Sequence, residues 1–209
     1  MPPFHRTPGQ AHWKLRVLPL GLGPNHYTLL LDMPGVEPIF HALRRLLVSG
    51  RKRTRLLSIN HSFHLQRHVI FHRVNQNFGG TLENHFCHWD ELDEEPTVED
   101  ERACLETYRT DLFNSKFCLS PRGMGSDCYR HWEALLCGCI PVMESGPLNS
   151  MFRGLPAVFV DDWGDLTPEL LETAWEELSA RSVTGTSRLT QQFYLRDLYN
   201  VSGIVRHSP

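Results

Sequence analysis

Apolar positions keep no period over residues 1–14, a Pro-, Gly- and His-rich stretch that reads as a tail or the end of a preceding element. Residues 16–20 suit a short strand before the Gly21/Gly23/Pro24 turn. Val36, Ile39, Phe40, Leu43, Leu46 and Leu47 then recur at helical spacing, with Gly50 as a stop. The run Arg55-Leu56-Leu57-Ser58-Ile59 has the length and bounds of a buried strand. Ser62 can cap a helix to about Asn77, which Phe78-Gly79-Gly80 breaks. After the acidic loop at residues 90–96, Thr97 starts a helix to about Phe113 that carries Val98, Leu105, Tyr108 and Leu112.

Residues 116–120 form the next expected strand, 121–127 a Gly-rich loop, and 128–137 a helix with Gly138 at its end. Strands over 140–143 and 157–160 follow, and Thr167 caps a helix over 168–178 with Pro168 in the favoured first position. Residues 187–199 pattern as one more helix. Short buried strands alternating with longer helices predict roughly four or five βα units between residues 55 and 178. The expected fold class is α/β: a doubly wound, Rossmann-like parallel sheet with helices on both faces. The division is a tail and remnant over 1–50 and one domain over 51–200.

Composition narrows the functional classes. Lys and Arg total 21 against 24 Asp and Glu, a formal net charge of -3, so no basic surplus exists to displace counterions from a nucleic acid. Six cysteines in 209 residues are too few for a disulfide framework, and most are expected as buried or free thiols. No apolar stretch approaches the roughly 18 residues of a membrane span, and Pro19, Pro24, Asn25 and His26 interrupt any candidate signal peptide. The sequons at Asn60 and Asn200 matter only in a secretory compartment, which the sequence leaves open.

In an open parallel sheet, ligands sit beyond the carboxyl ends of the strands. The segment from Pro121 to Glu133 is the richest such place. Gly123 and Gly125 let backbone approach a ligand, and the helix that follows aims free N–H groups at it. Arg122 and Arg130 add two permanent charges with forked donors, which describes a diphosphate site. Glu133, three residues after Arg130 on the same helix face, is placed to accept hydrogen bonds from ribose hydroxyls. The plain alternative is a surface Arg130–Glu133 pair and a simple turn.

The segment Ser115-Lys116-Phe117-Cys118-Leu119-Ser120-Pro121-Arg122-Gly123, Asp127-Cys128-Tyr129-Arg130-His131-Trp132-Glu133-Ala134-Leu135 and Gly138-Cys139-Ile140-Pro141-Val142 resembles the exostosin-like glycosyltransferases (glycosyltransferase family 47 and relatives). Gly154-Leu155-Pro156 and Val160-Asp161-Asp162-Trp163 resemble the continuation. The likeness is dense over residues 110–165 and thin before Asn60. It implies the C-terminal, donor-binding half of a GT-B enzyme that transfers a sugar from a nucleoside diphosphate to a glycan or other hydroxyl acceptor. On that template Arg122, Gly123, Gly125 and Arg130 hold the diphosphate, Glu133 the ribose, and Arg67 reaches the same phosphates from the neighbouring βα unit.

The resemblance implies no bound metal and no cofactor; arginines and a helix end stabilise the departing nucleoside diphosphate. It assigns no catalytic base, and it places eukaryotic relatives in the Golgi or endoplasmic reticulum lumen. Only about 50 residues precede the first donor-domain strand, too few for an acceptor-binding domain. The chain is therefore expected to be a piece of a longer enzyme, to use a partner, or to be a non-catalytic nucleotide- or glycan-binding module.

Other constellations carry less. His61, His64, His68 and His72 recur near helical spacing, without an interleaved carboxylate or an H-E-x-x-H to complete a zinc site. Asp161-Asp162-Trp163-Gly164-Asp165 fits either a divalent ion or a capped turn. Gly125-Ser126 lacks the second glycine of a nucleophile elbow. Cys128 at a helix start is expected to have a lowered pKa, with no part in the reaction.

Overall fold

Alternation along four short strands decides which side chains meet. In the computed structural model, which describes residues 52–61, 65–85, 97–123 and 125–179, β1 is Arg55–Ser58, β2 Ser115–Leu119, β3 Ile140–Glu144 and β4 Val158–Val160. They form one sheet in the order β1-β2-β3-β4, every neighbouring pair parallel, with Leu57 opposite Phe117, Phe117 opposite Ile140 and Val142 opposite Val158. Four helices accompany them: α1 Leu65–Asn77, α2 Val98–Asn114, α3 Tyr129–Leu136 and α4 Pro168–Ser179.

Successive strand residues point to opposite faces. Leu57, Phe117, Leu119, Ile140, Val142, Val158 and Val160 form one layer with Val74 of α1 and Leu171 of α4. On the opposite face Cys118 packs with Tyr108 and Leu112 of α2 and Ala134 of α3. Met143 meets Trp132 and Leu135 of α3 there, together with Phe152 from the 3-10 turn Asn149–Phe152. Both faces are covered, which is why the strands read as apolar runs rather than as alternating apolar and polar residues.

The expected α/β class is present: a parallel sheet with helices on both faces. Among the described strands the order never reverses. The elements α2, α3 and the Asn149–Phe152 turn, each leading into the next strand, cover one face. The other face is filled by α1 and α4, which follow β1 and β4. The elements expected at 16–20, 36–47, 90–96 and 187–199 lie outside the described residues.

The helix ends follow from single residues. Thr97 caps α2 through a reciprocal pair with Asp100, the Asp100 N–H donating to Thr97 Oγ1 and the Thr97 N–H to Asp100 Oδ2. Gly138 ends α3 at φ 67°, with the Cys139 N–H donating to Ala134 O and the Gly138 N–H to Leu135 O. Arg53, buried below the sheet, donates to the carbonyls of Leu112, Phe113, Ser115 and Cys137, and so satisfies the carboxyl ends of α2 and α3 together.

Candidate functional site

The chain leaves β2 through Ser120, whose side chain is buried, and turns through Pro121, Arg122 and Gly123 before entering α3 at its N-cap, Cys128. Arg67 reaches this loop from α1. It is 9% exposed, and its Nε donates to the Arg122 carbonyl at 3.3 Å. A Cβ on Gly123 would stand 3.3 Å from Arg67 Nη2, so glycine is what lets the guanidinium lie against the loop. At Gly125 the same test meets only ordinary contact, 3.8 Å from the Asp127 carbonyl.

Arg130 stands in the first turn of α3 with a buried Nε that has no hydrogen-bond partner among the described residues. Two turns of chemistry surround it. Burial alone would lower its pKa, but the acidic groups facing it (Tyr108, Cys118, Cys128 and Glu133) more than reverse that. Arg67 goes the other way: burial, then the charge of Arg130, lowers its pKa, with Cys128 a partial offset. Two guanidinium groups therefore stand close enough to repel, a cost that an anion between them would remove.

Glu133 lies deeper, 1% exposed, and Tyr108 Oη donates to its Oε2 at 2.7 Å. Burial and the Glu133 charge push the Tyr108 hydroxyl well above its ordinary pKa, so it stays a donor. The Glu133 carboxylate lies in the interior rather than on the surface, held by a tyrosine from α2.

His131 occupies the other side of the helix start, 2% exposed, with Nε2 3.1 Å from the Ser120 carbonyl and Nδ1 3.3 Å from Asp127 Oδ1. Nε2 must donate, since a carbonyl only accepts, which fixes the tautomer by inference. When the ring is neutral, Nδ1 accepts from the Cys128 N–H, also 3.3 Å away; when it is charged, Nδ1–H donates to Asp127. Burial opposes the charged form, but the bond to Asp127 and the neighbouring Cys128 outweigh it, and the pKa rises to about 9. Asp127 is held in turn by Trp132 Nε1 at 2.9 Å.

The structure thus brings Arg67, Gly123, Arg130 and Glu133 to one helix start. The Arg122 side chain turns instead toward β3, its Nε 3.5 Å from Glu144 Oε2 and half in solvent. There it lines a pocket with Ser120, Ser126, His131, Ser145 and Asn149, among others, at the carboxyl ends of β2 and β3. Glu144 was not singled out from sequence; it also accepts from Trp163 Nε1 at 2.8 Å. The helical pattern marks Tyr108 only as a core residue. Its hydroxyl gave no local signal, because its partner lies 25 residues on.

The candidate metal motifs are committed elsewhere. Asp162 Oδ1 accepts from the Gly164 N–H at 2.6 Å and pairs with Arg73 at 3.1 Å, the capped-turn alternative for that stretch. His68 and His72 touch through their Nε2 atoms at 3.0 Å on the exposed face of α1, whereas His61 is fully buried. No helix among the described residues is long and apolar enough to cross a membrane.

The sheet belongs to an α/β domain that the comparisons make glycosyltransferase-like. The family model of the RXYLT1 C-terminal domain matches residues 80–194, and the chain belongs to that family. It is 30% identical over 100 residues to mouse Ribitol-5-phosphate xylosyltransferase 1, a match covering 40% of this chain and 22% of that protein. Exostosin-1 of Drosophila melanogaster is 47% identical over 58 residues, 27% of this chain and 8% of its own. The chain spans less than a quarter of these curated relatives. The crystal structure of AviGT4, a glycosyltransferase involved in avilamycin A biosynthesis, aligns over 80% of this chain and 50% of its own with a TM-score of 0.35 and 14% identity, too slight a likeness to carry an argument.

Proposed function

We propose that this chain is the donor-binding part of a glycosyltransferase of the exostosin-like class, a domain over residues 51–200 that holds a nucleoside-diphosphate sugar for transfer to a glycan or other hydroxyl acceptor. The observation that carries the proposal is the Arg130 guanidinium, whose buried Nε has no partner among the described residues, beside Arg67. Leaving such a donor unsatisfied costs about 1–3 kcal/mol. A diphosphate supplies the missing acceptors and offsets the repulsion of the two cations.

On this reading Arg67, Arg130 and the backbone at Gly123 and Gly125 take the diphosphate. Arg122 joins them by leaving Glu144, a half-exposed pair that costs little to break. Glu133 takes the ribose, which requires the nucleotide to enter on the Arg130 side and uncover it. As the sugar leaves, the same arginines stabilise the charge that grows on the diphosphate.

Isothermal titration with ADP, GDP, UDP and CDP, and then with the corresponding xylose nucleotides because a matched relative is a xylosyltransferase, tests the reading. At least one diphosphate is expected to bind. Arg130→Ala removes a charge-assisted contact of about 1.5–3 kcal/mol and weakens that binding roughly tenfold or more. Glu133→Gln keeps the Tyr108 bond and lowers affinity modestly. Absence of heat with every nucleotide, or unchanged affinity in folded Arg130→Ala, rejects the site. Binding without transfer by the complete protein selects the non-catalytic module.

A further inference from the structure

We propose that Cys128 is a thiol-modification site controlling the anion pocket: its sulfur takes up a small-molecule thiol as a mixed disulfide and, so loaded, excludes a diphosphate from Arg67 and Arg130. The control part rests on the donor-site reading above; the modification part stands without it.

Four cysteines among the described residues are free, and they fall into two kinds. Cys118, Cys137 and Cys139 are fully buried in the layer beneath α2 and α3. Burial pushes the first two up to about 12, so as thiols they are poor nucleophiles and have no path to a reagent. Cys128 is half-buried, at the N-cap of α3. Its Sγ lies 3.9 Å from Ser120 Oγ and 3.9 Å from the Pro121 carbonyl. It caps a helix start and has a histidine one turn away, clamped between Asp127 and the Ser120 carbonyl.

That is a thiol beside a cation: His131, with its pKa raised to about 9, is an imidazolium at neutral pH and favours the thiolate. Burial pushes the Cys128 thiol up, but hydrogen bonding to His131 and the charges of His131 and Arg130 outweigh it, and the pKa is lowered overall. An independent feature marks the place as one for an anionic ligand, the buried, partnerless Nε of Arg130. Cys128 Sγ approaches the Pro121 carbonyl, Arg67 donates to the carbonyl of the next residue, Arg122, and Arg130 lies in the first turn of the helix that Cys128 begins, so an adduct on that sulfur is placed beside both arginines.

The step balances. The thiolate attacks one sulfur of a small-molecule disulfide, forming a new S–S bond as the old one breaks. The expelled thiolate takes up a proton, equal to the one Cys128 gave up to solvent. Cys128 is oxidised to the disulfide level and the released half is reduced to thiol. Cys104 is itself disulfide-bonded, so the chain already holds one cysteine in the oxidised form.

The test uses the full chain. Peptide mapping after timed iodoacetamide treatment should show Cys128 alkylated about tenfold or more faster than Cys118, Cys137 and Cys139, an advantage that urea abolishes. Equal rates in the folded chain overturn the modification site. Oxidised glutathione should then add to Cys128 and weaken binding of whichever nucleoside diphosphate the titration identifies by about tenfold or more, reversed by dithiothreitol. Cys128→Ser, with Cys128→Ala as a second variant, should bind nucleotide equally before and after the same treatment. A confirmed adduct that leaves affinity unchanged overturns the control. A chain that labels fast but binds no nucleotide loses the donor-site reading and the control with it, while the modification site stands.

Discussion

His131 shows how one side chain can couple charge to fold. Its pKa of about 9 exceeds the ordinary histidine value of 6.5, because the folded ring has an acceptor at each nitrogen. A raised folded pKa means that the folded state binds the proton more tightly. The stability it contributes is fully present below about pH 6.5 and is lost as pH rises through about 9. At about 1.4 kcal/mol per pH unit the full effect is on the order of 3 kcal/mol. Cys128, with its pKa lowered, has the opposite sign and adds stability only toward alkaline pH. Urea unfolding of the chain and of His131→Gln at pH 6.5 and pH 9 is expected to show a stability gap that narrows at the higher pH. A gap independent of pH would mean that the ring is neutral throughout.

At the scale of elements, α3 is short and is held by its ends. Eight residues are too few to be helical alone, so packing and caps supply the order. Gly138 allows the reversal that satisfies the last carbonyls. Gly138→Ala keeps the sequence helical but forces a Cβ into a left-handed conformation, at a cost of about 1–2 kcal/mol. Because α3 carries Arg130, His131 and Glu133, loosening its carboxyl end disturbs the site from behind. Thermal melting should show the stability loss, and nucleotide titration a smaller loss of affinity than Arg130→Ala gives. Equal losses in both variants would contradict this division between frame and contact.

For the whole molecule, the sheet is the common wall of two apolar layers. Phe117 and Leu119 face α1 and α4, and Cys118 between them faces α2 and α3. Leu119→Ala empties a fully buried site one residue before Ser120 and should cost about 2–5 kcal/mol. Urea titration followed by both far-ultraviolet circular dichroism and tryptophan fluorescence is expected to give a single, earlier transition with coincident probes. Trp132 lies on one face and Trp163 on the other, so separate transitions would mean that the layers unfold independently.

The elements were largely determined by sequence, because their causes are local. An apolar run too short for a helix made β1, Thr97 with Asp100 three residues later began α2, and Gly138 ended α3. The Gly-rich loop and the arginines around it were legible for the same reason: glycine, charge and a helix start lie within a dozen residues. The strand order was not legible, since it depends on which sheet edge each crossover reaches. Nor was the make-up of the candidate site. Arg67 meets the loop across 55 positions and Tyr108 meets Glu133 across 25, and no local pattern encodes such a pairing. Arg122 and Glu133 show the limit most clearly. Sequence puts the one in the loop after β2 and the other in α3, but only the packed chain decides that one side chain turns to Glu144 and that the other is sealed inside by a tyrosine. Side-chain direction and burial are set by what the rest of the fold leaves open, and that is a property of the tertiary structure.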